Sequence, residues 1–149
     1  MSESLKGRVV AIVGGGSGRD RAIAVALAEA GADIAIATER PVKEQEFATA
    51  SIANEVWAIG REQFSAVIDA RDDGQLSSFL AEVCTRLGRL DAVVGAAAIF
   101  AGAGVLAIVL RDAPGTASAG AREVVTDGLS DDEVAQAVTA AVRLVSSLG

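Results

Sequence analysis

A short apolar run, residues 8–13, feeds directly into Gly14-Gly15-Gly16-Ser17-Gly18, and an alanine-rich helical pattern starts at once behind it. No other feature narrows the fold as much. The run is β-branched and reads as a strand. Behind the turn, Ala22, Ile23, Ala26, Leu27 and Ala30 share one helical face, and Gly31 stands where a left-handed residue closes a helix. A strand, a glycine turn and a helix in that order bring free backbone N–H groups and the positive end of a helix to an anion. Gly14, Gly16, Ser17 and Gly18 are therefore candidate phosphate-binding residues. The strict G-x-G-x-x-G spacing is not met, because counting from Gly14 and Gly16 puts its last position on Arg19. Two readings stay open: a nucleotide or anion site, and a tight turn retained for the fold.

The same alternation continues. Residues 34–37, 64–68 and 90–94 read as strands two to four. Pro41 suits the first position of a helix running to about Trp57, with Gly60 beyond it. Leu76, Phe79, Leu80, Val83 and Leu87 recur at helical spacing, and Gly88 ends that helix. This order predicts an α/β fold: a doubly wound parallel sheet of about five strands in a three-layer αβα arrangement, with right-handed crossovers. One domain over 1–149 is expected. Beyond strand four the pattern admits two solutions. Residues 105–110 form a strand, the favoured reading, although the link before it is short for a parallel crossover. Alternatively 99–111 is a helix and 122–126 is strand five. Ser130-Asp131-Asp132-Glu133 is a capping box that opens a final helix over about 130–147.

Composition removes several function classes. The net charge of −7 comes from dispersed acidic residues, and there is no basic stripe, so nucleic acid is not an expected partner. The most apolar stretch, residues 92–110, is interrupted by Gly95, Gly102 and Gly104, and no membrane span is expected. The polar start of the chain shows no leader-like apolar run ahead of the first strand, and Cys84 has no second cysteine to pair with. Both suit a cytoplasmic protein. With no histidine and one cysteine, no zinc site is expected. Cys84 is read as a packed helix residue and Trp57 as a core-edge residue.

Residues 9–30, VVAIVGGGSGRDRAIAVALAEA, closely resemble the opening of short-chain dehydrogenase/reductases, whose pattern is T-G-x-x-x-G-x-G followed by R-A-I-A. The likeness runs on through Gly31-Ala32-Asp33-Ile34, Val67-Ile68-Asp69 and Leu87-Gly88-Arg89-Leu90-Asp91. It covers residues 1–98, with 99–149 a divergent tail. It implies a Rossmann-like fold and an NADP or NAD cofactor. Gly14 and Gly18 match the first two motif glycines. The motif threonine falls on Val13 and the last glycine on Asp20, whose carboxylate would repel a diphosphate. Arg19 is placed to offset that charge or to bind phosphate itself; read from the residues alone, Arg19 and Asp20 are a solvated helix start. Thr38 holds the position that reads the ribose, and with Arg40 it suits a 2′-phosphate; Arg40 is equally a solvated turn residue. Asp69 matches the residue near the adenine; read from the residues alone it is equally a helix cap. The N-N-A-G segment is replaced by Gly95-Ala96-Ala97-Ala98.

The family's chemistry uses a tyrosine acid/base, a lysine that lowers its pKa, and a serine that orients the carbonyl. This chain has no tyrosine and no histidine, and its last lysine is Lys43. No catalytic residue is assigned. The resemblance then implies a protein not catalytic by itself: a nucleotide-binding, partner or structural subunit in a homo- or hetero-oligomer. The alternative is an NAD(P)-dependent oxidoreductase of unusual mechanism, or one completed by a partner chain.

Overall fold

The structure, a computed structural model, describes residues 4–95, 106–111, 121–126 and 128–148. Strand β1 (Val9–Val13) is buried along its whole length. It leads through the glycine turn into helix α1 (Gly18–Glu29), whose Ile23, Ala24 and Leu27 pack inward. Gly31 follows at φ 112°, the left-handed stop expected there. Then come β2 (Asp33–Ala37), α2 (Lys43–Ile59), β3 (Gln63–Ala66), α3 (Asp73–Leu87) and β4 (Ala92–Gly95). Beyond these lie β5 (Leu106–Arg111), β6 (Ala121–Val125) and α4 (Asp131–Leu148). The capping box opens α4 as expected: Ser130 Oγ accepts from Glu133 N–H, and Glu133 Oε1 accepts from Ser130 N–H.

The strands form one parallel sheet in the order β3-β2-β1-β4-β5-β6, the doubly wound Rossmann order. It has six strands, one more than the expected five or so. Both stretches treated as alternatives in the tail are strands, so a helix over 99–111 is corrected for residues 106–111; residues 99–105 lie outside the described residues. Ala107, Ile108 and Leu110 are buried, so successive residues of β5 are shielded on both faces. That is the signature of an interior parallel strand. Residues 96–105 link β4 to β5, and residues 112–120 link β5 to β6. Each link is shorter than the roughly dozen residues of an ordinary parallel crossover, and neither has the length of the 15-residue α3.

Two clusters clamp the sheet. On one face Val10, Ile12, Ile34, Ile36, Val94 and Ile108 meet Leu27 of α1, Val56 of α2 and Val138 of α4. On the other, Val9, Ala11, Val13, Ala35 and Val93 meet Phe79 and Val83 of α3. Each fully buried Val or Ile contributes about 1.5–3 kcal/mol by leaving water. At the far end of β1, Asp91 Oδ2 accepts from Val9 N–H at 2.8 Å, which ties the starts of β1 and β4 together.

Three local readings are corrected. Helix α2 starts at Lys43 with Val42 as its N-cap, so Pro41 precedes the helix. The Gln45 side chain accepts from the N–H groups of Glu39 and Arg40, holding that segment as a turn. Trp57 is 70% exposed on α2, and Cys84 is exposed on α3. In both helices other residues supply the buried stripe: Ile52, Ala53 and Val56 in α2, Phe79 and Val83 in α3. Among the described residues, no helix is long and apolar enough to cross a membrane.

Candidate functional site

Strand order reverses between β1 and β4, where Val13 pairs with Gly95. The chain leaves one strand towards β2 and the other towards β5, so their carboxyl ends open a crevice. In open α/β sheets this crevice is where ligands bind. The glycine turn lies at its lip, and Gly14 N–H donates to Ala37 O at 3.0 Å.

The turn is tightly enclosed. A Cβ on Gly16 would stand 2.5 Å from Ala48 Cβ of α2, and Gly16 has φ +79°. A Cβ on Gly15 would stand 3.3 Å from the Gln45 carboxamide. A Cβ on Gly14 would stand 2.5 Å from Asp20 Oδ2. Only glycine fits at Gly16, on both backbone and steric grounds.

Asp20 closes the turn from within. Its Oδ2 accepts from Gly16 N–H at 3.0 Å and from Ser17 N–H at 3.1 Å. Its own N–H donates to Ser17 Oγ at 3.2 Å. Ser17 and Asp20 thus form a capping box at the head of α1, and Asp20 is only 9% exposed. From the sequence Asp20 is either a charge near a diphosphate or part of a solvated helix start, and neither reading has it take the N–H groups itself. The signal was present: Ser17-x-x-Asp20 has the same spacing as Ser130-x-x-Glu133. Arg19 turns away towards α4, with Nε 3.6 Å from Asp131 Oδ1.

The other candidates are distributed around the crevice. Gly18 begins α1, and a Cβ there would stand 3.3 Å from Asp131 Oδ2. Thr38 is fully buried; its Oγ1 donates to Ile68 O at 2.7 Å and accepts from Ile68 N–H at 2.8 Å. It bridges two chain segments and presents no surface to a ribose. Arg40 is exposed at the end of β2. Asp69 is bound bidentately by Arg71 at 3.0 and 3.1 Å and also accepts from Arg71 N–H. These bonds, with Arg40 adding a weaker positive field, hold its carboxyl at about 2. Gly95 is buried at the end of β4, and Ala96, Ala97 and Ala98 lie outside the described residues. Gln45, which no sequence signal marked, joins the β2–α2 turn to the glycine turn.

A family model described as short chain dehydrogenase matches residues 8–145. The chain belongs to the short-chain dehydrogenase family. Solved structures agree. Carveol dehydrogenase from Mycobacterium avium, in complex with NAD, is 31% identical with a TM-score of 0.58; the match covers 64% of this chain and 37% of that one. A short-chain type dehydrogenase/reductase from Mycobacterium marinum is 27% identical, TM-score 0.54, over 62% of this chain and 35% of that one. A short chain dehydrogenase from Mycobacterium paratuberculosis, bound to NAD, shares the fold at 24% identity and TM-score 0.62, over 72% of this chain and 56% of that one. The matches thus span from about a third to a little over half of the relatives' length.

A dinucleotide held in the family's manner needs the N–H groups at the head of α1 for its diphosphate. Just ahead of that helix, Gly16 and Ser17 already give their N–H groups to the Asp20 carboxylate, which also lies over Gly14. A diphosphate entering the turn would displace Asp20 or meet its charge at contact distance. The turn as built does not fit the group.

Proposed function

We propose that this chain is a member of the short-chain dehydrogenase family that does not transfer hydride by itself and serves as a structural or partner subunit. One observation carries the reading: within residues 8–145, matched by the family model, there is no tyrosine and no histidine, and the last lysine is Lys43 in α2. Reducing a carbonyl requires a proton donor beside the oxygen. Neither a tyrosine nor a histidine can supply it, and two carboxylates at the carboxyl edge of the sheet are engaged, Asp20 by backbone N–H groups and Asp69 by Arg71.

Assembly as a homo- or hetero-oligomer accords with Phe47 and Trp57, 72% and 70% exposed on the outer side of α2. A cytoplasmic location accords with the single cysteine. The test is light scattering after size exclusion, with an assay of NADH and NADPH oxidation against a panel of aldehydes and ketones. The expected result is a mass above one chain and no turnover. A monomer that turns over either cofactor overturns the proposal.

A second reading keeps the chain as an NAD(P)-dependent oxidoreductase completed by a partner chain. Arg40 favours it, since it lies exposed beyond the carboxyl end of β2 and suits NADP over NAD. It predicts turnover only when the partner is present.

A further inference from the structure

We infer that Asp20 is a resident anion that fills the diphosphate position of the glycine turn and keeps this chain from binding dinucleotides. The inference stands on the loop alone and does not depend on whether the chain assembles with a partner.

A helix N-terminus with a glycine turn attracts negative charge because its first N–H groups have no partner within the helix. Asp20 N–H donates to Ser17 Oγ, and the N–H groups of Gly16 and Ser17, just ahead of the helix, also take an acceptor. In this chain the anion is covalent. Asp20 Oδ2 lies 3.0 and 3.1 Å from the nitrogens of Gly16 and Ser17, within charge-assisted hydrogen-bond range. The described partners of the carboxylate are backbone N–H groups, the same class of donor a diphosphate oxygen would use. The carboxylate also lies over Gly14, where a Cβ would stand 2.5–2.9 Å from its atoms. The close approach that glycine would offer to a phosphate is therefore taken by a side chain. Because Asp20 is tethered to the helix it caps, it competes as an intramolecular ligand at high effective concentration.

The neighbouring residues reinforce the closure. Arg19, the one cation within the turn's sequence, points to Asp131 of α4, not back to the loop. Gln45 fills the space beside Gly15 while accepting from Glu39 and Arg40 N–H. The route from the glycine turn to the end of β2, along which the family's motif places the ribose, is bridged by the chain itself.

The test is amide NMR of the unmodified chain and of Asp20→Gly, titrated with inorganic pyrophosphate and then with NADPH and NADH. In the unmodified chain the Gly16 and Ser17 amide resonances should not move at millimolar ligand. In Asp20→Gly they should move saturably, with affinity raised on the order of tenfold or more by removal of a contacting like charge. Circular dichroism checks that the variant is folded. If it is not, Asp20→Asn keeps the size and the cap while removing the charge, and a smaller gain of the same sign is expected. Movement of the Gly16 and Ser17 resonances in the unmodified chain at the concentrations that saturate the variant overturns the inference. So does the absence of any gain in a folded variant.

Discussion

Thr38 Oγ1 and the backbone of Ile68 form a closed pair, with the hydroxyl donating to the Ile68 carbonyl at 2.7 Å and accepting from its N–H at 2.8 Å. The pair is shielded from water, since Thr38 is fully buried and Ile68 nearly so. The hydroxyl therefore does for the chain beyond β3 what a further ladder rung would do. Thr38→Val keeps the shape and removes both bonds, leaving a buried N–H and carbonyl unpaired. The expected loss is about 1–3 kcal/mol in urea unfolding, with Thr38→Ser recovering most of it. A Thr38→Val variant as stable as the original would show that the two bonds contribute nothing net to the fold.

Asp69 and Arg71 give the chain an acid-sensitive turn. Arg71, through its guanidinium and its N–H, holds the Asp69 carboxyl at about 2, below the ordinary 3.8. A carboxyl with a lowered folded value stabilises the fold above its unfolded value, and that contribution is lost as pH falls through the folded one. The pair's contribution should therefore be complete above about 3.8 and should fade towards about 2. Both side chains reach solvent, so salt should weaken it. Carboxyl-carbon NMR titration of Asp69 checks the value, and Arg71→Ala should bring it back up towards the ordinary range.

Gly16 and Gly60 separate backbone strain from crowding. Both have positive φ, +79° and +103°, but a Cβ on Gly60 meets open space while one on Gly16 would stand 2.5 Å from Ala48 Cβ. Gly60→Ala should cost about 1–2 kcal/mol from the left-handed backbone alone. Gly16→Ala should cost that plus about 1–3 kcal/mol of overpacking. Equal losses in chemical denaturation would mean that α2 moves aside freely at Ala48.

The single tryptophan of a chain without tyrosine is a ready reporter. Trp57 is 70% exposed, so the folded chain at low concentration should emit close to the unfolded wavelength and be quenched freely by acrylamide. A blue shift that grows with concentration, absent in Phe47→Ser, would identify the outer side of α2 as the associating surface. An emission already blue at the lowest concentration measured, with quenching suppressed, would contradict the exposure.

The sequence by itself determined the alternation of elements as far as β4, the glycine turn, the helix stops at Gly31, Gly60 and Gly88, and the capping box at Ser130. Each of these is local: hydrophobic period, φ sign and cap spacing are set within a few residues of one another. It also determined that the usual acid/base side chains of the family are missing, since composition alone decides that. Tertiary structure decided the rest. Residues 105–110 and 122–126 looked like competitors because the link before the first is short, yet β5 and β6 both join the sheet, where parallel pairing outweighs the length rule. Thr38 read as a ribose contact until Ile68, thirty residues away, was seen to take its hydroxyl. Asp20 read as a misplaced charge in a phosphate site or as part of a solvated helix start, until the turn folded over it. A carboxylate repels a phosphate and replaces it by the same property, its attraction to unpaired N–H groups. Which of the two it does depends on where the backbone places those groups, and only the folded turn fixes that position.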